Sequence, residues 1–163
     1  MNVVHRAHGT RRGRGGAWVV GQVVLIAAIL LSAFLGRGWP ARVEPVAVAI
    51  GGLLLALGIG GLAVGAARLG AALTPFPAPR ADAPLRTDGV YGLVRHPMYG
   101  GGILIALGWT IVFATVPGLV LTIVLGAFVE LKARREERWL EERHPEYAEY
   151  RRRTPHRFVP FVW

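Results

Sequence analysis

Arg95-His96-Pro97-Met98-Tyr99-Gly100-Gly101-Gly102 sets a guanidinium, an imidazole, a phenol and three glycines where a proline-rich polar stretch gives way to an apolar one. The proline keeps His96 out of the helical region and suits the first turn of a helix starting just after it. Basic and aromatic side chains then stand at a helix N-terminus, beside free backbone N–H groups and the positive end of the dipole, where an anionic group can be held. The same letters also suit a membrane-interface anchor, with Arg95 and Tyr99 at headgroup level. A second cluster, Arg135-Glu136-Glu137-Arg138-Trp139-Leu140, offers paired carboxylates. Neighbouring helical residues point about 100° apart, so only one of Glu136 and Glu137 can readily enter a site. The alternative is a solvated, salt-bridged helix, for which Glu130 and Arg134 already have i,i+4 spacing.

Composition narrows the chemistry. The chain has no cysteine, which removes disulfides, zinc-thiolate sites and a cysteine nucleophile. His5, His8, His96, His144 and His156 show no metal-ligand spacing on one helix face. Apolar residues make up 53% of the 163 positions, yet the net charge is +9. The two classes are segregated: apolar runs of membrane length alternate with short arginine-rich segments, as in an integral membrane protein with basic loops. Attraction to anionic lipid and control of topology explain the arginines better than nucleic acid does.

These runs predict an all-α integral membrane protein with about four transmembrane helices: Ala17 to Leu35, Val46 to Leu69, Tyr99 to Ala114 and Gly118 to Val129. The first resembles a signal peptide behind Arg12 and Arg14, but it exceeds a usual h-region of about 7–15 residues and further spans follow, so it reads as retained. Residues 1–16 form a basic arm, residues 17–69 the two N-terminal helices, and residues 70–163 a core with the long polar connection, a helical hairpin and a cytosolic C-terminal helix and tail. Glycines crowd the second helix, and Gly61-x-x-x-Gly65 is expected to be a close helix contact. With both termini inside, all but Arg37 and Arg42 of the 19 basic residues fall in the cytoplasm. The composition and compact size suggest a bacterial inner membrane.

In order, Thr87-x-Gly89-x-Tyr91-x-x-Val94-Arg95-His96-Pro97-Met98-Tyr99-x-Gly101, Leu107-Gly108-Trp109, Arg135-Glu136-Glu137-x-x-Leu140, His144-Pro145-x-Tyr147-x-x-Tyr150 and Arg157-Phe158-Val159-Pro160 resemble the isoprenylcysteine carboxyl methyltransferase family, which shares a superfamily with phospholipid methyltransferases. The likeness runs from about residue 84 to residue 160. It implies a membrane enzyme using S-adenosylmethionine, held in a cytosolic pocket over the bundle and covered by the tail. It implies cofactor binding by Arg95, His96, Tyr99, Gly101, Glu136, Glu137 and Leu140, with Arg135 and Glu137 as catalytic residues. Arg143-His144-Pro145-Glu146-Tyr147 repeats the RHPxY letters where the family has a tail turn, and the repetition is read as coincidence.

Methyl transfer from a sulfonium asks the protein mainly to position two reactants in a dry pocket. No metal is needed. A carboxylate acceptor is already ionised and needs only a cation to hold it, whereas an amine acceptor needs a base, for which His96 or a glutamate would serve. Arginine richness tilts the expectation to O-methylation of an isoprenylcysteine-type carboxylate on a small hydrophobic or prenylated substrate. A phospholipid amine N-methyltransferase and a non-enzymatic membrane scaffold remain the alternatives.

Overall fold

The computed structural model describes residues 15–76 and 84–160. Most of the basic arm, part of the proline-rich connection and residues 161–163 lie outside them. Five α-helices run in order: α1 Gly16–Leu31, α2 Glu44–Leu69, α3 Pro97–Val112, α4 Val116–Arg143 and α5 Tyr147–Arg153, with no strand among the described residues. A 3₁₀ turn over Ser32–Leu35 extends α1, and another over Gly89–Gly92 precedes α3. The protein is an all-α integral membrane protein. α1 with its extension, α2 and α4 are long and apolar enough to cross a bilayer. α3, the fourth apolar helix, has 16 residues and rises about 24 Å, short of a ~30 Å hydrocarbon core.

α3 lies against α2, and glycine decides how. A Cβ on Gly51 would come within 2.8 Å of the Gly108 carbonyl oxygen, one on Gly58 within 2.7 Å of the Gly101 carbonyl oxygen, and one on Gly65 within 2.8 Å of Met98 Cγ. From the other side, Gly101 would meet the Gly58 oxygen at 2.7 Å and Gly108 the Gly51 oxygen at 2.6 Å. The contact is therefore a ladder of glycines seven residues apart, running antiparallel, in which two backbones touch. The expected Gly61-x-x-x-Gly65 contact is corrected by this ladder. Gly65 packs, but a Cβ on Gly61 meets nothing within 4 Å.

α1 packs instead on α4. Trp18 and Phe128 lie 5.1 Å apart, and Ile29 joins Ala106, Leu125, Val129, Ala133 and Phe158 in the buried core. Thr115 caps α4, its hydroxyl accepting from Gly118 N at 3.2 Å, and Val116 and Pro117 open the helix. α4 then runs unbroken from the apolar run into the charged one, 28 residues or about 42 Å. Outward-facing apolar side chains such as Val24, Leu53, Val120 and Ile123 stay exposed along these helices. A lipid environment covers such a surface.

The segment after α5 turns back across the start of α3. Arg95 N donates to His156 O at 3.1 Å and His96 N to Arg157 O at 2.8 Å. A Cβ on Gly100 would overlap the Phe158 carbonyl oxygen, so glycine there lets the tail cross.

Candidate functional site

Pro97 is the first residue of α3 and His96 its cap, as the proline predicts. This places Arg95 and His96 beside the outgoing end of α4, both buried. Glu137 reaches them from α4: Arg95 Nε donates to its Oε1 at 2.9 Å, and His96 Nε2 lies 3.2 Å from the same oxygen. Arg157 from the tail adds contacts to both carboxylate oxygens at 3.1–3.3 Å. Arg95 Nη1 also donates to the carbonyls of Thr154 and Pro155 at 2.6 and 2.7 Å. One carboxylate thus fastens three segments, and the Glu137 oxygens are spent on that task.

Glu136, next to it, points the other way. Its Oε2 accepts from the Tyr99 hydroxyl at 2.8 Å. It borders a cavity of about 630 Å³ lined by α1, α2, α3, α4 and the segments around them. That size suits a cofactor-sized ligand. At one end the lining is polar: Arg95, His96, Tyr99, Lys132, Glu136, His144, Tyr147 and Tyr150. At the other it is apolar, with Ile26, Ile29, Ile103, Ala106, Leu125 and Val129. His96 and Tyr99 stack with centroids 5.3 Å apart and planes at 7°. Leu140 adds a wall at the polar end.

The three glycines of the α3 start face three ways. Gly100 meets the tail, Gly101 meets α2, and Gly102 borders the cavity with nothing within 4 Å of a Cβ. Gly101, expected at the cofactor, is a helix-packing residue here. Arg135, expected to be catalytic, is exposed, with its guanidinium 5.0 Å over the Trp139 ring. One step along a helix is about 100°, so placing Glu136 at the cavity turns both Arg135 and Glu137 away from it. Arg95, His96, Tyr99, Glu136 and Leu140 are brought together.

Residues that the sequence reading passed over complete the lining. Tyr147, from α5, is 1% exposed. Its hydroxyl has no hydrogen-bond partner among the described residues. Burial, then the nearby Glu137 carboxylate, push it well above the usual tyrosine range, so it stays a phenol able to donate. Tyr150, beside it, donates a hydrogen bond to Tyr91 O at 2.7 Å. The repeated RHPxY letters were the available signal, since His144 and Tyr147 both reach the cavity. No group of three or more metal-ligating side chains occurs among the described residues.

A family model described as phospholipid methyltransferase matches residues 46–147, from α2 to the first residue of α5. The chain belongs to that family. Isoprenylcysteine carboxyl methyltransferases fall in the same family, as the sequence resemblance implied. Among relatives of this phospholipid methyltransferase family member is the cobalt-zinc-cadmium resistance protein CzcN of Cupriavidus metallidurans, 35% identical over 150 residues, 88% of this chain and 62% of CzcN. Another is the mouse Delta(14)-sterol reductase TM7SF2, 30% identical over 82 residues, 48% of this chain and 20% of the reductase. The chain thus spans less than two thirds of the length of either relative.

Proposed function

We propose that the protein is an S-adenosylmethionine-dependent membrane methyltransferase acting on a hydrophobic, lipid-like substrate, with an isoprenylcysteine-type carboxylate as the favoured acceptor. The observation that carries this reading is one cavity with a polar end and an apolar end. At the polar end stands a buried tyrosine hydroxyl with no protein partner among the described residues. A buried polar group without a partner is costly, and a ligand relieves the cost.

The residues fit the cofactor. Glu136 suits an ammonium or ribose hydroxyls, the stacked faces of Tyr99 and His96 suit a sulfonium or adenine, and Tyr147 supplies a free donor. S-adenosylmethionine, when bound, supplies an electrophilic methyl group. The chain orients and shields. Tyr99 fixes the Glu136 carboxylate, the Glu137 clamp holds the α3 start against α4, and α5 with the tail excludes water. Glu137 and Arg95 act as positioning residues. His96 Nε2 is engaged by Glu137 and Glu136 Oε2 by Tyr99, and an acceptor that is already ionised asks neither of them to take a proton, which favours it.

The domain reading becomes a membrane-embedded core from residue 70 onward whose cavity borrows walls from α1 and α2. The distribution of basic residues puts both termini and the polar end of the cavity in the cytoplasm, of a bacterial inner membrane in our reading.

Calorimetric binding of S-adenosylmethionine to the protein in detergent tests the proposal, run beside Glu136→Gln and Tyr147→Phe. We expect wild-type binding weakened about tenfold or more in both variants, each of which folds. A folded wild type that binds no S-adenosylmethionine, or binds a hydride-donating nicotinamide cofactor instead, overturns it.

A further inference from the structure

Lys132 is a buried cation lining the cavity that takes part in neither the clamp nor the proposed cofactor contacts. It lies on the α4 face of Glu136, one turn or about 6 Å nearer the apolar end. A lysine near the end of a membrane helix ordinarily snorkels to water. This one is turned inward and is 3% exposed. Its Nζ donates to Gln22 Oε1 on α1 at 2.6 Å and to Pro75 O at 3.2 Å. It also stands 5.1 Å from the centroid of the Tyr99 ring. An ammonium has three protons to donate. Two find neutral oxygens, and no carboxylate lies within ion-pair distance of it among the described residues. An ammonium buried among neutral oxygens carries a desolvation cost, which an anion bound beside it offsets.

We propose that Lys132, held by Gln22, forms a subsite for the carboxylate head of an amphipathic substrate whose tail lies in the apolar end of the cavity. The subsite rests on the methyltransferase reading above and deepens it, because it selects the acceptor. Its position is the argument. Toward the cytoplasm the lining is Glu136 and Tyr147, and toward the bilayer it is Ile29, Ala106, Leu125 and Val129. An amphiphile that fills the apolar end presents its head at Lys132, next to the place proposed for the cofactor. The remaining proton and single positive charge match a monoanion. A cationic amine meets like charge there and is turned away.

The test uses the full chain in detergent and measures binding of S-farnesylcysteine with its amine acetylated, in its carboxylate and carboxamide forms, alongside S-adenosylmethionine. We expect the wild type to prefer the carboxylate by about 10–100-fold. Lys132→Met should bind both forms equally while holding S-adenosylmethionine within about threefold of wild type, and Lys132→Arg should keep part of the preference. Three results overturn the proposal: no carboxylate preference in the wild type, an undiminished preference in Lys132→Met, or loss of S-adenosylmethionine binding alone in that variant. Should Lys132→Met not fold, Gln22→Met carries the test, because loosening the ammonium must lower the preference and an unchanged preference overturns it. A wild type that binds the carboxylate but not S-adenosylmethionine sinks the methyltransferase reading and leaves the subsite standing.

Discussion

Glu136 and Glu137 share a chemistry and differ in everything that surrounds them. Glu137, with a side chain 5% exposed, answers two guanidiniums and an imidazole. Glu136 meets a phenol at the cavity wall. Removing the first leaves Arg95 and Arg157 without their shared anion. Glu137→Ala should therefore lose about 3–5 kcal/mol of stability, measured by thermal unfolding in detergent, and Glu137→Gln less. Tyr147→Phe should keep or slightly raise the unfolding temperature of the ligand-free protein, because it deletes an unsatisfied hydroxyl, while weakening the ligand. A fall in stability instead would mean that the hydroxyl has a partner within the protein. The sequence showed that only one carboxylate of the pair can readily enter a site, because adjacent helical positions diverge. It did not show which one. That depends on the rotation of α4, which the Arg95 and Arg157 contacts settle, and Arg157 arrives from 20 residues away.

The four long helices were legible, since apolar runs of membrane length leave few other structures, whereas α5 falls where the sequence was read as a tail turn. Pro97 located the start of α3 almost to the residue. The packing partners were harder to read. Counting from Gly61 to Gly65 found a familiar spacing on α2, whereas the contact uses Gly51, Gly58 and Gly65 because their register matches Gly101 and Gly108. A spacing of seven becomes visible only when both helices are considered together. The ladder separates two substitutions of one kind. Gly58→Leu should prevent α2 and α3 from closing and abolish a cooperative melt, whereas Gly60→Leu, open on its side, should fold like wild type. Equal behaviour of the two variants would count against the ladder.

Across the whole molecule, the cavity depends on parts far apart in sequence. α1 lines one side with Gln22 and Ile26, α3 and α4 line the others, and α5 closes the polar end. Basic residues predict which end faces the cytoplasm. The absence of cysteine gives that prediction a clean test. Val116→Cys, at the exposed start of α4, should react with an impermeant maleimide added outside intact cells. Arg152→Cys, exposed on α5, should react only after lysis. The reverse pattern would invert the topology.

The tail clamp also has a consequence in time. A ribosome completes all four long helices before it makes residues 154–158, which turn back over Gly100 and hand Arg157 to Glu137. Without them the bundle can sit in the bilayer with Arg95 and Glu137 paired, but with the third member of the clamp missing. The polar end of the cavity is therefore finished last. A chain truncated before residue 154 and released would be inserted and helical, yet unable to close over a bound molecule.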